Sequence, residues 1–135
     1  MPSICFYFQV HQPFRIRDYS FFDIGESHFY EDDKKNEEIL NKVADKCYIK
    51  TNQKMLELIK RHKGKFKISY SLSGTAIEQF EKYRPDVLQS FIDLSNTGCV
   101  EFLSETYSHS LSFMYSKDEF KRQVEKIEVY ARVSP

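Results

Sequence analysis

The chain has 135 residues, 41% of them apolar, and 20 basic and 20 acidic side chains that cancel to zero formal charge. That length suits one domain with a real core and is short for two. A balanced charge supplies no field to draw in nucleic acid or an anionic membrane, so neither is expected as a partner.

Phe and Tyr make up 16% of the sequence and Trp is absent. These rings suit a Phe-rich core, exposed platforms for sugar or another ligand, or both. No apolar run approaches the ~20 residues that span a bilayer. The first apolar run begins almost at once, with no basic region and signal-like core ahead of it. Cys5, Cys47 and Cys99 are odd in number, far apart, and match neither CxxC nor Cys/His metal spacing. Buried reduced thiols are expected, as in a reducing compartment. The expectation is a soluble, cytoplasmic protein.

The first element is Ile4-Cys5-Phe6-Tyr7-Phe8-Gln9-Val10, an aromatic and β-branched run that reads as a buried strand. It ends at His11-Gln12, and Pro13 bars its continuation as an inner strand. A long segment from Phe14 to Asp33 follows, dense in rings and acids, with Gly25 as a hinge. A loop of that length is usually functional or leans on parts of the protein outside this sequence.

From Lys34 the period becomes helical, with Ile39, Leu40, Val43, Ala44 and Cys47 on one face. A second helix is expected to start near Thr51, bury Met55, Leu56 and Ile59, and end at Gly64. Residues 65–72 form the second strand. Thr75-x-x-Glu78 reads as a capping box opening the next helix. Pro85 suits the first turn of a further helix with Val87, Leu88, Phe91 and Ile92 inward, and Asn96-Thr97-Gly98 ends it. Residues 99–103 make a third strand, and Ser116-x-x-Glu119 caps a last helix carrying Phe120, Val124 and Ile127.

Strands separated by helices pair in parallel through right-handed crossovers. All three strands read as interior, yet three parallel strands leave two edges open. The sequence therefore reads as α/β, the first three parallel strands and crossover helices of a partial (β/α) barrel. Self-association through the open sheet edges is expected.

In such a layout the strand ends open on one face. That face collects His11, Gln12 and Pro13, then Ser73 and Gly74, then Glu101 with the loop Glu105, Tyr107 and His109. Histidine, carboxylates and rings suit a polyhydroxylated ligand, whose hydroxyls need donors and acceptors and whose apolar faces need rings. A histidine after a strand serves equally well as a loop anchor. Glu101 within an apolar strand favours an inward polar site over a solvated edge. His28, Asp32 and Asp33 match no metal spacing; an acidic turn ahead of a helix, favoured by the helix dipole, accounts for them better. No metal or cofactor is expected.

Phe8-x-x-His11-Gln12-Pro13 resembles the first signature region of glycoside hydrolase family 57. Phe21-Phe22-Asp23-Ile24-Gly25 through Asp32-Asp33 and Asn36-Glu37 is similar to its α-amylase-like members, as are Ser71-Leu72-Ser73-Gly74 and Gly98-Cys99-Val100-Glu101-Phe102-Leu103. The resemblance runs from about Ile4 to about Glu125. It implies an incomplete seven-fold (β/α) barrel of the glycoside hydrolase/deacetylase type, with residues 1–135 as a truncated N-terminal part. It also implies retaining chemistry on α-1,4- or α-1,6-glucans, by hydrolysis or transfer, without a metal in the mechanism.

By that resemblance His11 and Glu101 bind the sugar next to the scissile bond, with Gln12, Glu105 and His109 as further substrate-binding residues. The catalytic nucleophile and acid/base lie in family regions beyond those matched, so no catalytic residue is assigned within the chain. Past Glu125 the sequence departs from the expected helix and next strand, as a truncated or frame-disrupted chain would. Two alternatives stand beside this. A metal-dependent polysaccharide deacetylase would need a His-x-x-x-His pair, but Phe113 stands four residues after His109. A non-catalytic glucan-binding or interaction fragment would bind maltooligosaccharide without turnover.

Overall fold

The structure, a computed structural model, describes residues 4–133. Strand β1 (Tyr7–Val10) is followed by a long loop with one 3-10 turn at Phe21–Asp23. Helix α1 (Asp33–Val43) runs through a π turn (Ala44–Tyr48) into α2 (Ile49–Arg61). Then come β2 (Ile68–Leu72), α3 (Gly74–Tyr83), α4 (Pro85–Ser95), β3 (Val100–Leu103), a 3-10 turn at Ser112–Met114, and α5 (Lys117–Val133).

The sheet order is β1-β2-β3, all parallel, with Val10 opposite Leu72 and Ser71 opposite Leu103. Alternation along the strands separates two faces. Ile68 and Tyr70 point into the helical layer, where Tyr70 packs against Phe8, Phe91 and Phe102. The core there is completed by Leu40, Ile59, Phe80, Val87 and Leu94. On the other, open face lie Tyr7, Gln9, Ser69, Ser71 and Glu101, of which Tyr7, Gln9 and Glu101 are exposed. The Tyr7 hydroxyl and Ser71 Oγ link β1 to β2 across it at 2.7 Å.

Only the central strand has no exposed residue. Tyr7 is 50% and Phe6 48% exposed, and β3 is exposed from Glu101 to Leu103. The outer two strands are the open edges expected of three parallel strands of a partial barrel. The expectation of buried thiols is corrected. All three are free, but Cys5 and Cys47 are exposed and Cys99 half-buried.

Three helix boundaries also differ. The helix near Thr51 does not start there, because α1 and α2 are continuous through the π turn. Helix α3 opens two residues before the Thr75 capping box: Ser73 is its N-cap and accepts from Ala76 N at 3.3 Å. Glu78 is instead engaged by the Tyr107 hydroxyl at 2.7 Å. Past Glu125 the chain does not leave the helical pattern, since α5 continues to Val133; Ser134 and Pro135 lie outside the described residues. Ser116 does cap α5, accepting from Glu119 N at 3.2 Å. Among the described residues no helix is long and apolar enough to cross a membrane.

A candidate polyol-binding site at the strand ends

The sheet register builds the site. One step beyond the paired residues, His11 and Ser73 fall on a single row, and Glu105, two past Leu103, extends that row across β3. The side chains meet accordingly. His11 Nδ1 lies 2.8 Å from Ser73 Oγ, which itself caps α3. Glu105 Oε2 lies 2.9 Å from His109 Nδ1 and accepts from Gln9 Nε2 at 3.4 Å. The His11 and His109 rings complete the cluster with centroids 4.8 Å apart.

His109 adopts φ +52°, left-handed backbone that costs a residue with a Cβ on the order of 1 kcal/mol. The turn is held by His109 N donating to Thr106 O and by Ser110 N donating to Thr106 Oγ1 at 2.8 Å. Burial holds the His11 imidazole below its ordinary pKa, and His109 adds to the effect while Glu105 opposes it. Glu105 is 12% exposed at its side chain, and its Oε1 is buried with no hydrogen-bond partner. A buried carboxylate oxygen left without a donor is costly, and a ligand hydroxyl is the natural way to satisfy it.

Gln12 faces the other way. Its side chain is buried in the helical layer, where Nε2 donates to the Tyr48 hydroxyl at 2.9 Å and Oε1 accepts from Arg15 Nη2 at 3.4 Å. Glu101 shares the open face but not the cluster. It is exposed, opposite Ser69, two rows below Glu105, or about 13 Å down the strand. There it lines a cavity of about 560 Å³ with Ile4, Cys5, Lys67 and Cys99.

Tyr107 stands beneath the site rather than in it. Its ring lies against Gly74 and under the Lys126 ammonium, 3.6 Å from the ring centroid. Gln9 went unnoticed in the sequence because it sits inside an apolar run; counting by two from His11 puts it on the same face. Among the described residues no three His, Cys, Asp or Glu side chains are placed to hold a metal ion.

A family model described as Glycosyl hydrolase family 57 matches residues 5–133. A protein of Methanocaldococcus jannaschii named "Putative alpha-amylase" is 41% identical over 136 residues, covering 96% of this chain and 27% of that protein. The chain therefore spans about a quarter of the length of this curated relative. The crystal structure of 4-alpha-glucanotransferase from Thermococcus litoralis superposes with a TM-score of 0.66 at 20% identity, over 95% of this chain and 17% of that one. That likeness shows the fold, three parallel β/α units of a (β/α) barrel.

Proposed function

The chain belongs to glycosyl hydrolase family 57, and we propose that it forms the sugar-binding wall of an α-glucan hydrolase or transferase. In this reading His11, Glu105 and His109 hold one part of an α-1,4- or α-1,6-glucan at the strand ends. Glu101 touches the ligand further down the open face, and Gln12 acts from behind the wall. The observation that carries it is the row His11–Ser73–Glu105, with a buried carboxylate oxygen awaiting a donor. The names of the relatives, an alpha-amylase and a 4-alpha-glucanotransferase, support an α-glucan as the ligand.

The cluster binds rather than cleaves. Retaining hydrolysis needs two carboxyl groups about 5–5.5 Å apart. Glu105 is the cluster's one carboxylate, since Glu101 stands about 13 Å away along the strand. Nucleophile and acid/base belong on further strands of the barrel, facing this wall.

Titration calorimetry of the 135-residue chain with maltooligosaccharides, beside a reducing-sugar assay, tests the proposal. Binding without turnover, lost in His11→Ala, is the expected result. Robust release of reducing sugar that disappears in Glu101→Gln would place the chemistry within this chain and overturn it.

A further inference from the structure

Residues 36, 40, 44, 48 and 52 recur every fourth position along α1, the π turn and α2. Asn36, Leu40, Ala44 and Asn52 are fully buried, and Tyr48 packs on Phe80 and Phe91. An ideal α-helix advances 100° per residue, so every fourth residue drifts 40° and four such steps accumulate about 160°. A strict α-helix would carry this row from the core to solvent. The wider turn at Ala44–Tyr48 takes up the drift and returns Tyr48 to the inward face.

Two polar members of the row grip the segment that follows β1. Asn36 Oδ1 accepts from Arg15 N at 2.9 Å. The Tyr48 hydroxyl accepts from Gln12 Nε2 at 2.9 Å. From α3, Gln79 Nε2 donates to the Gln12 main-chain oxygen at 2.9 Å. Gln12 is thus fixed by side chain and backbone, and the imidazole of the preceding residue is aimed at Ser73.

We infer that Tyr48, presented by the π turn, is a positioning residue for the His11–Gln12 corner. It touches no ligand. It holds the Gln12 amide, and through the Gln12 backbone it holds His11 within reach of Ser73 and beside His109. This deepens the α-glucan reading, and its sugar-binding consequence rests on that reading.

The test combines an NMR titration of the His11 imidazole with calorimetry against maltotriose, on the 135-residue chain. Tyr48→Phe keeps the ring and removes the hydroxyl. The His11 pKa is expected to rise toward the ordinary 6.5 as the corner loosens and burial relaxes. The maltotriose Kd is expected to rise about fivefold to tenfold, the scale of one lost hydrogen bond.

Gln12→Leu leaves the aromatic core untouched and is expected to reproduce the His11 shift, and it carries the test if Tyr48→Phe fails to fold. Combining the two should add nothing further to the shift. A His11 titration unchanged in Tyr48→Phe or in Gln12→Leu, beside a lowered melting temperature, would show a purely structural tyrosine and overturn the inference. A shifted titration in a chain whose wild type ignores maltotriose would uphold Tyr48 as a positioning residue and reject the α-glucan reading instead.

Discussion

Gly74→Ala tests how the loop after β3 is seated on α3. A Cβ at Gly74 would lie 2.1 Å from Tyr107 Cδ2, 2.2 Å from Cε2 and 2.6 Å from Cγ. Non-bonded carbons settle near 3.5–4.0 Å, so the ring must recede by roughly 1.5 Å. Retreat is resisted, because the Tyr107 hydroxyl donates to Glu78 at 2.7 Å and the Lys126 ammonium covers the ring. Overpacking of this size costs about 1–3 kcal/mol, and loss of the Glu78 bond adds about 1 kcal/mol. Alanine returns up to ~1 kcal/mol as the better helix former.

The net expectation for Gly74→Ala is a loss of about 1–4 kcal/mol, a fall of roughly 3–20 °C in melting temperature at this chain length. Because Tyr107 lies between Glu105 and His109, the His109 ring resonances should move as well. Urea unfolding followed by circular dichroism measures the first effect, and a histidine NMR spectrum the second. In a Tyr107→Ala background the same glycine substitution should be neutral or mildly stabilising. Gly98→Ala is the contrast: φ is +66° but nothing lies within 4 Å, so a loss of about 1 kcal/mol with unmoved His109 resonances is expected. A stabilised Gly74→Ala chain would refute the close approach.

His11 has a depressed pKa in the folded chain, so the unfolded chain takes up protons first as pH falls. Its contribution to stability is therefore complete above pH 6.5 and is lost as pH drops through the folded value. Urea midpoints measured across that window should fall more steeply for wild type than for His11→Asn, and parallel curves would count against a buried neutral imidazole. Asn36→Ala strips Arg15 N of its buried acceptor and should cost about 2–3 kcal/mol in urea unfolding; a cost below about 0.5 kcal/mol would mean that water replaces the clamp. An aromatic disulfide reagent should modify Cys5 and Cys47 at once in the native chain and Cys99 more slowly, whereas a masked Cys5 or Cys47 would contradict their exposure.

The elements themselves were legible wherever one local signal had no competitor. Pro85 opens α4, the Asn96-Thr97-Gly98 turn closes it at a positive φ, and Ser116 caps α5. Motifs failed where a neighbour did the same work first. Ser73 caps α3 before Thr75 is reached, since β2 ends one residue earlier, at Leu72. The π turn left no readable mark, because every-fourth spacing looks like an ordinary helical stripe until the drift is summed over five positions. Burial of the thiols was not legible for a different reason. Composition shows that a run is apolar but not whether a further strand lies beside it.

At the site, His11, Glu105 and His109 were found as residue types at strand ends, and the register explains why they meet. Strand pairing carries His11 to Ser73 and Ser73 to Glu105 on one row, so the cluster is a property of the sheet, and the loops only add His109. The same register separates Glu101. It shares a row with Tyr7 and Ser69, two rows below, and no hydrogen bond links it to the cluster. A span of about 13 Å exceeds what one hydrogen-bonded hydroxyl bridges, for such contacts reach only about 3 Å. A ligand engaging both His11 and Glu101 would therefore have to run diagonally down the open face, about 13 Å along the strands and about 10 Å across them. Their contributions to its binding are then energetically independent, as groups without shared partners at that distance are, while those of His11 and Glu105 are coupled through His109.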